Sequence, residues 1–340
     1  MRTRIAITLV SAAALAAVSG LLIAGPLNPP SGPVAASYKT LAEVEPRTAI
    51  NAANTPGDAD SVFRIASSGT YYLTADVSVP SGKKGIEVAA NCVTIDLNGF
   101  QINGVVGSLD GINTIGSKLH VRNGYIVAVQ GDGVDAASGN GSVCEGVTVQ
   151  SCGGVGVRMG SCCVVKDCFI EGVSGGGIVT GIQGTVTGCT VSGCVGDGVL
   201  LNEASRAIDC TVRASQGNGI VINGVAVLVR GCTCQTNTLD GIHEFFGAAE
   251  IIGNTCLYNG NGASFGAGIN VNSTGNMVAD NYVSNNDTGI LVSVGANSII
   301  RNHAVFNTTE YSIVGGNCAG PIVTSATIGT SSNPHANYDF

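Results

Sequence analysis

The 340-residue sequence has no tryptophan, three methionines and only 11% charged residues. No Lys/Arg cluster follows the N-terminal segment and the net charge is −8, which excludes a nucleic-acid partner, since that would call for a basic face. Leucine is scarce and forms no L-x-x-L-x-L frame, so a leucine-rich horseshoe is excluded as well. No C-x-x-C occurs among the thirteen cysteines; the close sets are Cys162-Cys163, Cys189 with Cys194, and Cys232 with Cys234, and no metal site is expected from them. After the N-terminus no apolar run reaches the roughly 18 residues that a membrane span needs.

What the chain has is fifty glycines, and ten of them keep time. A glycine followed by Ile or Val stands at Gly85, Gly111, Gly133, Gly156, Gly177, Gly198, Gly219, Gly241, Gly268 and Gly289, at intervals of 26, 22, 23, 21, 21, 21, 22, 27 and 21. Between the markers run short alternating β-branched segments separated by Gly, Asn, Asp and Ser, which read as two or three strands and their turns. With no helix-period segment between them, such units close into triangular coils that stack in parallel at roughly 4.8 Å. The residue after each glycine, and the residue two further on, form inward columns; the latter runs from Val88 to Val292 and is small or apolar at nine of ten positions, Glu244 being the exception. The glycines themselves are expected to supply positive φ at sharp corners.

These G-[IV]-x-[VIL] openings, the D-G or N-G corners (Asp110-Gly111, Asp132-Gly133, Asp197-Gly198, Asn218-Gly219, Asp240-Gly241) and an Asn column carry a resemblance. The chain resembles the right-handed parallel β-helix repeat proteins of the pectin-lyase-like superfamily, over roughly residues 85 to 315, and its upstream segment is similar to the entry of secreted members of that group. The fold class expected is all-β, a right-handed parallel β-helix of about ten coils with caps at both ends. A solenoid grows by adding coils and needs no second core, so one domain suffices.

Arg2 and Arg4 precede an apolar run from Ile5 to Ala24, the layout of a secretory signal, with an uncleaved anchor as the alternative. Residues 1–36 are assigned to signal and linker, 37–84 to an N-terminal cap with a short helix near Leu41, 85–315 to the β-helix and 316–340 to a C-terminal cover using Ile322, Ile328, Tyr338 and Phe340. The expected location is secreted, periplasmic or cell-surface, with no membrane contact after cleavage.

Four residues expected in one column, Cys168, Cys189, Cys210 and Cys232, give way to Asn254, Asn281 and Asn302 in the next three coils. This reads as a structural ladder, since Asn stacks link coils by side-chain hydrogen bonds and free Cys packs as a small hydrophobe. The outward column after each glycine is apolar at its centre, at Val179, Leu200 and Val221, where a sugar-acid polymer would meet charges; a covering loop or a contact surface both account for it. His243-Glu244 is the local anomaly. Either Glu244 points inward as a costly buried carboxylate, or the strand ends after His243, Glu244 turns to solvent and Phe245 or Phe246 fills the interior.

The resemblance implies a substrate groove along the outer face in the family's enzymes. The D-D, G-H-G and R-x-K elements of its polygalacturonase-like hydrolases are missing, and Asp132, Asp135 and Arg158 are the nearest approach to the calcium-and-base arrangement of its lyases. No cofactor is expected, with calcium implied only under the lyase reading. The preferred function is a non-catalytic rod that contacts polysaccharide or a cell-surface protein; the alternative is a polysaccharide lyase, epimerase or hydrolase using His243, Glu244, Asp132, Asp135 and Arg158.

Overall fold

The residue after each marker glycine, from Ile86 to Ile290, is fully buried, and so is the whole second inward column including Thr114, Thr180 and Glu244. Strict alternation with burial on one side is what a half-buried strand requires. The computed structural model describes residues 45–260, 262 and 266–340; the signal segment and the short helix expected near Leu41 lie outside the described residues. A compact unit runs from Arg47 to Phe340. It is an all-β parallel solenoid, and the α-helix is absent from the described residues.

One face is a twelve-stranded parallel sheet whose members run in chain order from Ser61–Ile65 to Thr309–Ile313. Twelve coils therefore replace the ten expected. The first and last escaped the glycine count because Val62-Phe63 and Glu310-Tyr311 occupy the marker positions, and the first lies in the stretch expected as a cap. Two further faces complete each coil. They merge where Leu119–Val127 and Val143–Gln150 continue unbroken around a corner and pair on both sides.

The marker glycines are not in positive φ, contrary to expectation. They are required by close approach. A Cβ on Gly111 would stand 2.6 Å from the carbonyl oxygen of Gly133, and one on Gly219 2.5 Å from that of Gly241, while the facing strand presses from inside through Ile126 or Cys234. Glu310 in the last coil has no following coil to meet.

Positive φ is found at the corners, in columns that mostly lack glycine. One runs through Cys162, Gln183, Ala204, Ala226 and Ala248, each between 51° and 59°. An L-residue in that region costs roughly 1–2 kcal/mol. The cost is offset because the conformation aims the N–H at the next coil, as in Cys162 N to Ile182 O at 2.8 Å and Ala204 N to Val225 O at 2.9 Å.

Asparagine ladders stand at all three corners of the C-terminal coils. In the expected one, the N–H groups of Cys232, Asn254 and Asn281 donate to the side-chain oxygens of Asn254, Asn281 and Asn302 at 2.9, 2.9 and 3.1 Å. A second links Asn237, Asn259, Asn286 and Asn307, and a third links Asn276, Asn297 and Asn317. The tail returns to the rod. Asn337–Asp339 pairs with both His303–Val305 and Ile322–Thr324, and Asn337 ends the first ladder by accepting from Asn302 N at 3.0 Å. Val323, Ala336 and Asn337 are buried there, whereas Ile322, Ile328 and Phe340, expected as the cover, are exposed.

Candidate functional site

Strand pairing places Asn113, Asp135, Arg158, Val179, Leu200, Val221, His243 and Asn270 in one outward column of the twelve-stranded face. The polar members form two clusters with the apolar stripe between them. Arg158 and His243 are four coils apart, about 19 Å at the parallel-strand spacing.

In the first cluster Arg158 Nε binds Asp132 Oδ2 at 2.6 Å. Asn113 bridges Asp110 and Asp135 at 3.2 and 3.3 Å. Burial raises the Asp110 carboxyl above its ordinary range, with the nearby charges of Asp132 and Asp135 adding to it. Arg158 is held more firmly protonated by its hydrogen bond to Asp132. Asp132 and Asp135 with Arg158 are thus brought together as the sequence suggested, and Asp110 joins them. Much of the carboxylate capacity is structural: Asp110 Oδ1 accepts from Asp132 N at 2.8 Å and Asp132 Oδ1 from Val155 N at 2.7 Å.

The second cluster is built around His243. Its Nδ1 lies 2.5 Å from Asp240 Oδ2, and its Nε2 lies 3.0 Å from Asn272 Nδ2. A neutral imidazole carrying its proton on Nδ1 satisfies both contacts, donating to the carboxylate and accepting from the amide. Phe245 stacks on the ring at 4.0 Å between centroids. Asp240 is itself a corner residue whose Oδ1 accepts from Ala267 N at 2.6 Å. Sequence reasoning took the D-G corners as turn markers and missed that their carboxylates bind the next coil's backbone; the signal was the recurrence of Asp or Asn before the glycine.

Glu244 points inward and is fully buried. The alternative, a strand ending at His243, is overturned: Ile222, Glu244 and Val271 pair in register, while Phe245 and Phe246 are 45% and 54% exposed. The carboxylate is not lone, however. Gly247 N and Ser273 Oγ donate to Oε1, and Ser273 N and Asn276 Nδ2 donate to Oε2 at 3.2 and 3.1 Å. Four donors fill the acceptor sites that catalysis would need free. His243 and Glu244 face opposite sides of the strand and do not act on a common point.

The stripe is recessed: Val221 is 4% exposed, and Val179 and Leu200 are half-buried. All thirteen cysteines are free thiols. Cys168, Cys189, Cys210 and Cys232 are each 1% exposed, and the closest sulfur pair given by the hydrogen bonds, Cys168 with Cys144, is 3.9 Å apart. The sulfurs replace the amide oxygens of the ladder, facing the backbone N–H of the preceding coil, as Cys210 does that of Cys189. Among the described residues one trio of acidic ligands gathers, Asp58, Asp60 and Glu87, already engaged by Arg64 and Lys84.

Residues 178–328 match the family model described as a right handed beta helix region. No curated protein matches the chain. Among solved structures, the A-module of the Azotobacter vinelandii mannuronan C-5 epimerase is similar with a TM-score of 0.55 and 13% identity, over 74% of this chain and 90% of that one. The Dettilon tailspike protein gives 0.53 and 15%, over 82% of this chain but 60% of its own. A double mutant of the periplasmic alginate epimerase AlgG gives 0.50 and 11%, over 88% and 82%. At these identities the likeness is one of fold. No helix among the described residues is long and apolar enough to cross a membrane.

Proposed function

Taking as premise that the chain is a right-handed parallel β-helix of the pectin-lyase-like type, we propose that it is a secreted or cell-surface rod that binds a glycan chain along its length without cleaving it. The observation that carries this is the separation of the polar groups. The Arg158 cluster and the His243 cluster are held apart by Val179, Leu200 and Val221, and Glu244 is turned to the interior with its oxygens occupied. An acid, a base and a charge stabiliser have to converge on one reacting atom with oxygens to spare; the Arg158 cluster gathers such groups, but every oxygen of Asp110, Asp132 and Asp135 already has a partner in the chain. The recessed stripe offers an apolar floor for sugar faces, with Arg158 and His243 at its ends for hydroxyl contacts. Solved structures of the same fold include an epimerase module and a tailspike, which is consistent with polysaccharide as the ligand class.

The test is a binding panel of neutral and acidic polysaccharides, run alongside assays for new reducing ends, unsaturated products and altered uronate composition. Retention of a polymer with no product supports the reading. Turnover that is lost in His243→Ala would replace it with the enzyme alternative.

A further inference from the structure

The third face carries a row of side chains that neither the ladders nor the clusters above employ. Its strands Phe169–Glu171, Thr190–Ser192, Thr211–Arg213, Thr233–Gln235, Thr255–Leu257 and Tyr282–Ser284 pair in register, so Thr190, Thr211, Thr233 and Thr255 follow one another at successive coils. Phe169 stands before them and Tyr282, 40% exposed, after them. The row faces outward, because the next residue of each strand (Val191, Val212, Cys234 and Cys256) is fully buried. From Phe169 to Tyr282 it spans five coil steps, about 24 Å.

None of the four hydroxyls makes a hydrogen bond within the described chain, and none of the four residues has an interaction beyond those already given. Each therefore offers a donor and acceptors outward. β-Propensity explains a threonine in any one strand. It does not explain four consecutive coils without an alternative residue, bounded at both ends by rings. The surroundings select the partner's charge. Beside the row, Asp167, Asp209 and Glu171 stand with Lys166, Arg213 and Arg230, so no net cationic patch faces it, in a chain of net charge −8. A polyanion finds no cationic patch to pair with on such a surface, whereas an uncharged polymer needs none. Beyond Phe169, at Thr148 and Tyr125, the row meets a cleft floored by Gly99, Gly124 and Gly146, with Tyr125 46% exposed beside it.

We infer that this row is a second track, on which an uncharged polysaccharide lies parallel to the rod, its hydroxyls bonding the threonines and its apolar sugar faces stacking on Phe169 and Tyr282. Ring-on-sugar contact uses the large apolar face of the aromatic side chain, and Tyr282 adds a polar edge. The inference rests on the glycan-binding reading above, and it adds the face and the ligand charge.

The experiment uses the full-length protein with laminarin, dextran, mannan and xylan as uncharged probes and polygalacturonate and alginate as anionic ones. Affinity is followed by calorimetry at low and high salt. The expected result is binding of at least one uncharged polymer, insensitive to salt and weakened about tenfold or more in Thr211→Val/Thr233→Val and in Tyr282→Ala. Valine keeps the shape and strand preference of threonine, and unchanged circular dichroism confirms the fold of the double variant. Uncharged binding that survives the threonine pair but is lost in Leu200→Asp overturns the second track and leaves the glycan reading standing. Binding of the anionic polymers alone does the same. Retention of no polysaccharide at all overturns both.

Discussion

The side-chain amide of Asn276 donates to the carboxylate of Glu244 at 3.1 Å, joining residues 32 apart in sequence across one coil boundary. Asn276 is also the first rung of its ladder: its Nδ2 reaches Asn297 Oδ1 at 3.0 Å, and its Oδ1 accepts from Ala249 N at 2.8 Å. The third Asn ladder thus ends on a buried acid. Glu244 closes that ladder and pins the turn at Gly247, a structural duty that excludes it from chemistry at the surface.

Glu244→Gln should therefore destabilise. The substitution removes the charge that four donors converge on and turns an amide NH2 toward groups that are themselves donors. Loss of charge-assisted hydrogen bonds in a buried site amounts to about 1–3 kcal/mol. Thermal and denaturant unfolding of the variant should both show the loss. A variant as stable as the parent would mean that desolvation of the carboxylate cancels its hydrogen bonds.

The thiols give a pH dependence with a definite sign. Burial pushes Cys152 and Cys194 up to about 12 and Cys163 up to about 11, from the ordinary value of 9.0. A thiol whose pKa is higher in the folded state keeps its proton while the unfolded chain has lost it. The contribution of these groups is then fully present below about pH 9 and is lost as pH climbs toward 11 to 12. At pH 8 a thiol reagent should modify Cys92, Cys162 and Cys318, the exposed three, and reach all thirteen only after denaturation. Modification of most cysteines in the native state, or stability that rises between pH 9 and 11, contradicts this burial.

Most of the fold was legible because every coil repeats one physical problem. The Gly-Ile/Val step, the inward columns and the Cys-to-Asn column follow from period alone. The second Asn ladder was equally legible in principle: Asn237, Asn259, Asn286 and Asn307 are separated by 22, 27 and 21 residues, the same intervals as Gly219 to Gly289. The third was hidden, since Asn276 has Ala249 as its counterpart one coil earlier. The site was less legible. Whether Glu244 is lone or satisfied depends on Ser273 and Asn276 in the next coil, which nothing in the local sequence indicates. The positive-φ corners were misplaced for a related reason: alanine, cysteine and glutamine do not advertise that conformation, and only the pull of the inter-coil hydrogen bond puts them there.

The two classes of glycine can be separated by substitution. Gly219 has ordinary φ, but a Cβ there would lie 2.5 Å from Gly241 O and 2.8 Å from Asn237 Nδ2, both fixed by the ladder and the sheet. Gly253 has φ +65° and nothing within 4 Å of the added carbon. Gly219→Ala has to push two coils apart, an overpacking cost of about 1–3 kcal/mol or more, whereas Gly253→Ala meets only the left-handed penalty of about 1–2 kcal/mol, partly returned by a less flexible unfolded chain. The chain already tolerates Ala204, Ala226 and Ala248 in that conformation. Gly219→Ala should therefore be clearly the more destabilising of the two by thermal unfolding. The opposite order would restore positive φ as the reason for the repeat and discard close approach between coils.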